Sequence, residues 1–283
     1  MARSSKDRVK ARPRGRSAAA TRASRESRSA MIKIAAVMAV VLLVGSAYLA
    51  ILASRRSLDT DTLCPSTAGS VTVLLVDVTD PMNAAQKQDF ANQLAKLKNS
   101  IPRYGKLIVA KVDATSAGLL SPVITRCNPG TASDENSWTG NPAALQKQWS
   151  AGFDEPLTQA FNRLATATGA EQSPILESVQ SIALTELQKP GLDGVPKRLI
   201  VASDLLQNTG DVSFYRTLPE PRTFTDGAVF RRLRTDLRGV DVELWMLERA
   251  DAASTQPRAL ADLWERVIDA EGGDVRRIYN VSG

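Results

Sequence analysis

Asp77, Thr79, Ser173 and Asp204 are the residues of this chain whose types and places could do chemistry. Asp77 and Thr79 stand directly behind an apolar, β-branched run at 72–76, and Asp204 stands behind a second one at 198–203. Ser173 precedes Pro174 at the start of a segment with apolar residues at helical spacing. All four side chains offer oxygen. Polar groups at the carboxyl ends of buried parallel strands commonly face a ligand crevice. Their other common use is helix capping, since Asp, Ser and Thr accept the unpaired N–H groups of a first turn, and proline suits the position behind. Taken one at a time, each of the four reads more readily as a cap than as a ligand. The chain has no histidine. That removes Ser-His-Asp and Cys-His catalysis, histidine-containing zinc sites and histidine pH switches.

The elements that must position these residues alternate between strand-like runs and helical periodicity, the mark of an α/β domain with a mostly parallel sheet. Strands are expected at 71–77, 106–113, 198–203, 240–247 and 275–281. A further one at 119–125 holds Pro122, which argues for an edge position. Helices are expected over 83–99, over 145–164 with a restart at Asp154-Glu155-Pro156, from Pro174 onward, over 229–238 and over 258–271. Residues 128–141 form a turn-rich insertion. Residues 205–226 form a long connection carrying Phe214, Tyr215 and Phe224. Aromatics on such a loop suit a partner-binding surface or a loop packed on its own side chains, and both readings stand.

Three junctions in the order Asp77-x-Thr79, Ser173, Asp204 resemble the von Willebrand factor A (VWA) family over residues 70–283. That family's first motif is Asp-x-Ser/Thr-x-Ser, followed by a Thr or Ser between two helices and an Asp after the fourth strand. The resemblance implies an α/β, doubly wound, Rossmann-type sheet flanked by helices. It also implies a metal-ion-dependent adhesion site in which Asp77, Thr79, Ser173 and Asp204 hold Mg²⁺, with Mn²⁺ as substitute, and a partner's carboxylate completes the shell. Pro81 departs from the motif, standing where the family has its second hydroxyl, with Asp80 beside it.

Charge and hydropathy set the surroundings. Residues 1–33 carry eleven Lys/Arg against Asp7 and Glu26, a net +9 in a chain of +6, which leaves −3 for everything behind them. This Arg/Ser/Ala-rich tail is expected to be disordered and cytoplasmic, lying against anionic lipid rather than nucleic acid. Residues 34–53 are uncharged and long enough to span a bilayer as a helix; a cleavable signal peptide is the competing reading, though its apolar region is usually shorter. Residues 54–70 read as a linker and 71–283 as the domain, placed on the periplasmic or extracellular side of the inner membrane. Cys64 and Cys127 then lie in an oxidising compartment, and an even pair there is most simply a disulfide. If the 119–125 strand runs antiparallel, the two reach the same sheet end.

The function expected from all this is a membrane-anchored, non-enzymatic protein-binding module of an envelope-associated assembly. Its contacts are a protein partner and the lipid bilayer, with no nucleic acid. The alternatives are a haloacid-dehalogenase-like, Mg²⁺-dependent phosphohydrolase and a metal-free scaffold. The former needs a second Asp where Thr79 stands, a later lysine and an acidic pair.

Overall fold

A computed structural model describes residues 18–53, 57–79, 81–112, 119–138, 140–166, 170–249 and 256–281, with the side chains of the first helix described from 28 to 50. Residues 1–17 of the basic tail and Asp80 lie outside this set. The chain divides into two units, Met1–Arg56 and Ser57–Gly283.

Among its described residues the first unit holds one helix, α1 (Ala18–Ala53). It contains a 23-residue stretch, Arg28–Ala50, long and apolar enough to cross a membrane by length and composition. At 1.5 Å per residue that stretch measures about 34 Å, slightly more than the hydrocarbon core. The helix starts sixteen residues upstream of the expected span, so the tail is not disordered over 18–33. Neither Gly nor Pro occurs between Gly15 and Gly45, and Ala, Arg, Glu and Met are strong helix formers.

The described residues of the second unit carry six strands: β1 (Ser70–Val76), β2 (Gly105–Lys111), β3 (Ile124–Cys127), β4 (Lys197–Ser203), β5 (Val240–Leu247) and β6 (Asp274–Val281). Their order is β3-β2-β1-β4-β5-β6, with every neighbour parallel except β3 on β2. This is the doubly wound sheet expected of a VWA-like domain. Its order reverses between β1 and β4, where such sheets open a crevice. All seven residues of β1 are buried, as a central strand requires.

Period-two alternation sorts the core into two layers. Val73, Leu75, Ile108, Leu199, Val201, Val242 and Leu244 face α5 (Ile175–Ile182), α6 (Pro221–Thr225), α7 (Ala228–Leu233) and α8 (Arg258–Ala270). Leu74, Val76, Leu107, Val109, Ile200, Ala202 and Trp245 face α2 (Ala84–Ser100) and α4 (Glu155–Leu164). On that second side Phe90 of α2 stacks on Phe161 of α4 with ring centroids 4.6 Å apart.

Several boundaries move for identifiable reasons. Helix α3 (Pro142–Trp149) does not stop before Pro156. It runs through a π-helical turn at Ser150–Asp154 straight into α4, and the wider turn accommodates the proline's missing N–H. β3 begins after Pro122 rather than around it, since proline has no N–H for the ladder. α7 ends at Leu233 instead of 238, because Leu237 N donates to Glu271 O and draws the chain into β5.

The stretch expected as linker is structured from Ser57 onward. Asp59 accepts from the backbone of Asp61 and Thr62, and Cys127 N donates to Thr62 O. Cys64 and Cys127 are joined with their Cα atoms 4.7 Å apart, and β3 is antiparallel as that pairing needs.

Candidate binding site at the carboxyl end of the sheet

Asp77 follows β1 directly and Asp204 follows β4 directly. The parallel register, Val76 opposite Ala202, sets both carboxylates at the β1/β4 crevice. Ser173 reaches the same place because its backbone pairs with Asn208 in both directions at 2.9 Å, on the connection leaving β4. Thr79 arrives in the turn behind Asp77. The four expected residues therefore converge, and each is at most 5 % exposed.

None of them caps a helix. The N-cap of α2 is Asn83, with Gln86 completing a capping box. The first turn of α5 is served by Gln207, whose Oε1 accepts from Leu176 N at 2.9 Å. The hydroxyls and carboxylates are spent on one another instead. Asp77 Oδ1 accepts from Thr79 N at 2.9 Å and Thr79 Oγ1 at 2.6 Å. Asp77 Oδ2 accepts from Ser173 Oγ at 2.7 Å and Ser203 Oγ at 2.8 Å. A carboxylate offers about four lone-pair sites, and these four donors fill them.

Asp204 is equally engaged. Its Oδ1 accepts from Leu206 N at 2.9 Å. Its Oδ2 accepts from the Tyr215 hydroxyl at 2.9 Å and from Arg249 Nε at 2.7 Å, with Arg249 Nη2 forming an ion pair to the same oxygen. Arg249 Nη2 also donates to the Tyr215 hydroxyl. Burial raises the Asp204 carboxyl above its ordinary pKa; the charge of Arg249 opposes that shift and the charge of Asp77 adds to it. Gln256 fastens the arrangement, donating to the carbonyls of Asp204 and Leu247 at 3.0 and 2.9 Å and accepting from Arg249 N at 2.7 Å. Leu205 completes the turn with φ of 64°. That left-handed conformation is costly for a leucine and is held by burial and by the Trp264 indole donating to its carbonyl at 2.8 Å.

The residues do not fit a divalent cation. Magnesium demands near-octahedral oxygen ligation at about 2.0–2.1 Å. Here the Asp77 oxygens are filled, Asp204 is bound to a guanidinium, and Pro81 offers no oxygen on its side chain. Among the described residues no group of three or more acidic, Cys or His side chains is placed to hold a metal. The cavity bounded by Asp77, Thr79, Pro81, Asp204 and Arg249 measures about 30 Å³, the room of one water. No lysine lines it among the described residues.

The aromatic connection divides. Phe214 and Phe224 are only 4 % and 8 % exposed and meet edge-to-face at 5.6 Å, so both belong to the core rather than to a contact surface. Burial of two such rings outweighs display, at about 1.5–3 kcal/mol each. Tyr215 is 45 % exposed, with its hydroxyl tied into the crevice. Sequence reasoning missed Arg249, Ser203 and Gln207. The available signal for Arg249 was its place: a charge two residues behind a buried strand, as Asp77 and Asp204 stand behind theirs.

No protein-family model and no curated protein matches this sequence. Solved structures do. A conserved hypothetical protein BatB from Bacteroides thetaiotaomicron aligns at 12 % identity and TM-score 0.38, over 75 % of this chain and 91 % of that one. An aerotolerance-related membrane protein from Bacteroides fragilis aligns at 11 % identity and TM-score 0.35, over 76 % and 92 %. Proximal thread matrix protein 1 from the mussel byssus aligns at 13 % identity and TM-score 0.37, over 76 % of this chain and 42 % of that one. At such distances none of the three assigns a function to this chain.

Proposed function

We propose that this chain is a membrane-anchored, non-enzymatic protein-binding module that meets its partner at the carboxyl end of the sheet. The observation that carries the reading is the closed polar cluster at the β1/β4 switch point, with the half-exposed ring of Tyr215 at its rim. Small-molecule sites commonly enclose about 300–1,000 Å³. A cavity of about 30 Å³ holds no organic substrate. What the described residues of this end of the sheet offer is a surface held from behind by buried hydrogen bonds. The anchor rests on α1, whose described side chains are all exposed although most are apolar, an arrangement suited to lipid.

The test is site-specific photo-crosslinking of the full chain in its native membrane. A crosslinker at position 215 should yield a defined protein adduct. The same group at position 188, exposed at the opposite end of the sheet, should not. Equal adducts at both positions, or adducts at 188 alone, would remove the carboxyl end as the binding end.

A further inference from the structure

Two buried carboxylates share the crevice, and something positive must balance them. Ser203 Oγ lies 2.8 Å from Asp77 Oδ2 and 3.4 Å from Asp204 Oδ1, so one hydroxyl spans the pair. Like charges this close in a desolvated site disfavour joint ionisation unless a cation stands by. In this chain the cation is covalently attached. β5 is the parallel neighbour of β4, with Met246 opposite Ser203, so the residues behind β5 emerge beside Asp204. Arg249 uses that proximity to bring a permanently charged guanidinium onto Asp204 Oδ2.

We propose that Arg249 is the resident cation of this crevice, standing where a divalent ion would otherwise bridge the ends of β1 and β4, and that binding at this end of the sheet is independent of metal. The inference rests on the reading of this end as the binding surface and deepens it, because the same guanidinium fixes Tyr215. The Tyr215 hydroxyl donates to Asp204 and accepts from Arg249, and the guanidinium carbon lies 5.7 Å from the ring centroid. The three strand ends β1, β4 and β5 and the 205–226 connection are thereby joined through one charge network. Arg249 is a positioning residue: it sets the orientation of the ring that a partner meets.

The experiment reads the thermal midpoint of the full chain in detergent, with and without millimolar Mg²⁺, Mn²⁺ or chelator. The wild type is expected to melt at the same temperature in all three. Arg249→Met leaves a buried carboxylate unpaired and should lower the midpoint by roughly 10 °C. Arg249→Lys keeps the charge and should recover part of that loss. Three results would each overturn the proposal. One is a saturable rise of the wild-type midpoint with Mg²⁺ or Mn²⁺ that Asp204→Asn abolishes. The others are an Arg249→Met protein as stable as the wild type, and a Lys variant no better than the Met one. Should the Met variant fail to fold, the wild-type metal titration decides alone. Crosslinking at position 215 in chelator reads the partner separately. An adduct lost only in chelator overturns metal independence; an adduct absent under every condition strikes the binding reading and leaves the cation assignment standing.

Discussion

Asp77 and Glu271 are both carboxylates buried at an end of the same sheet, and they are treated in opposite ways. Four donors surround Asp77 and occupy both of its oxygens. Glu271 receives one, Thr235 N at 3.1 Å on Oε1, while its buried Oε2 has no partner. Burial therefore pushes the Glu271 pKa up to about 8 from an ordinary 4.5, against the smaller opposing effect of the Thr235 N–H. Arg234, Asp236, Arg238 and Asp269 line the same cavity of about 530 Å³. The unfolded chain loses this proton near pH 4.5 and the folded chain near pH 8, so the folded state binds more protons between them. Stability should fall as pH rises through that window and level off above it, by at most roughly 5 kcal/mol. Glu271→Gln should flatten this fall and melt higher than the wild type at pH 8. Thermal melts of both proteins from pH 5 to 9 check it, and parallel curves would remove Glu271 as the source.

At the scale of elements, the strands were largely legible and the joins between them were not. Each expected strand exists, because apolar β-branched runs bounded by polar residues have few other places to go. The edge strand shifted to Ile124–Cys127 and the helix at Pro156 continued through a wide turn, since proline's local cost was absorbed by neighbours that spacing does not reveal. The segment before β1 reads as a polar linker yet is bound to β3 through Cys64 and Cys127, 63 residues apart. Closing a loop of that length contributes about 4 kcal/mol in the chain-entropy view. A Cys64→Ser/Cys127→Ser protein should therefore melt roughly 10 °C lower than the oxidised wild type. It should also be indifferent to reductant, whereas the wild type should fall to meet it. A wild type that ignores full reduction would show that the bridge constrains nothing.

At the scale of the whole molecule, the two units answer to different solvents. The first presents an apolar helix to its surroundings, and the second buries its apolar residues in two layers on a sheet. We propose that the +9 of residues 1–33 beside an uncharged run orients this helix with its amino end in the cytoplasm, by the preference of Lys and Arg for that side. A reporter that works only in the cytoplasm, fused behind Gly283, should accordingly be silent, and a disulfide that persists outside agrees with that placement. A strongly active reporter there would reverse the topology and remove the compartment in which the bridge is expected to form.

Sequence alone determined the class of fold, the apolar span, the cysteine pairing and the four oxygen-bearing residues that meet at the crevice. These follow from local periodicity, from composition and from position behind a strand, all of which are written along the chain. Only the tertiary structure decided what the four do there. Asp77 and Ser173 are 96 positions apart, Asp77 and Ser203 126, and Asp204 and Arg249 45, and such groups cannot be known to saturate one another until the fold makes them neighbours, as β5 beside β4 does for Arg249 and Asp204. The same holds for Phe214 and Phe224, whose apolar rings suit a surface or a core equally well until packing leaves room for them inside.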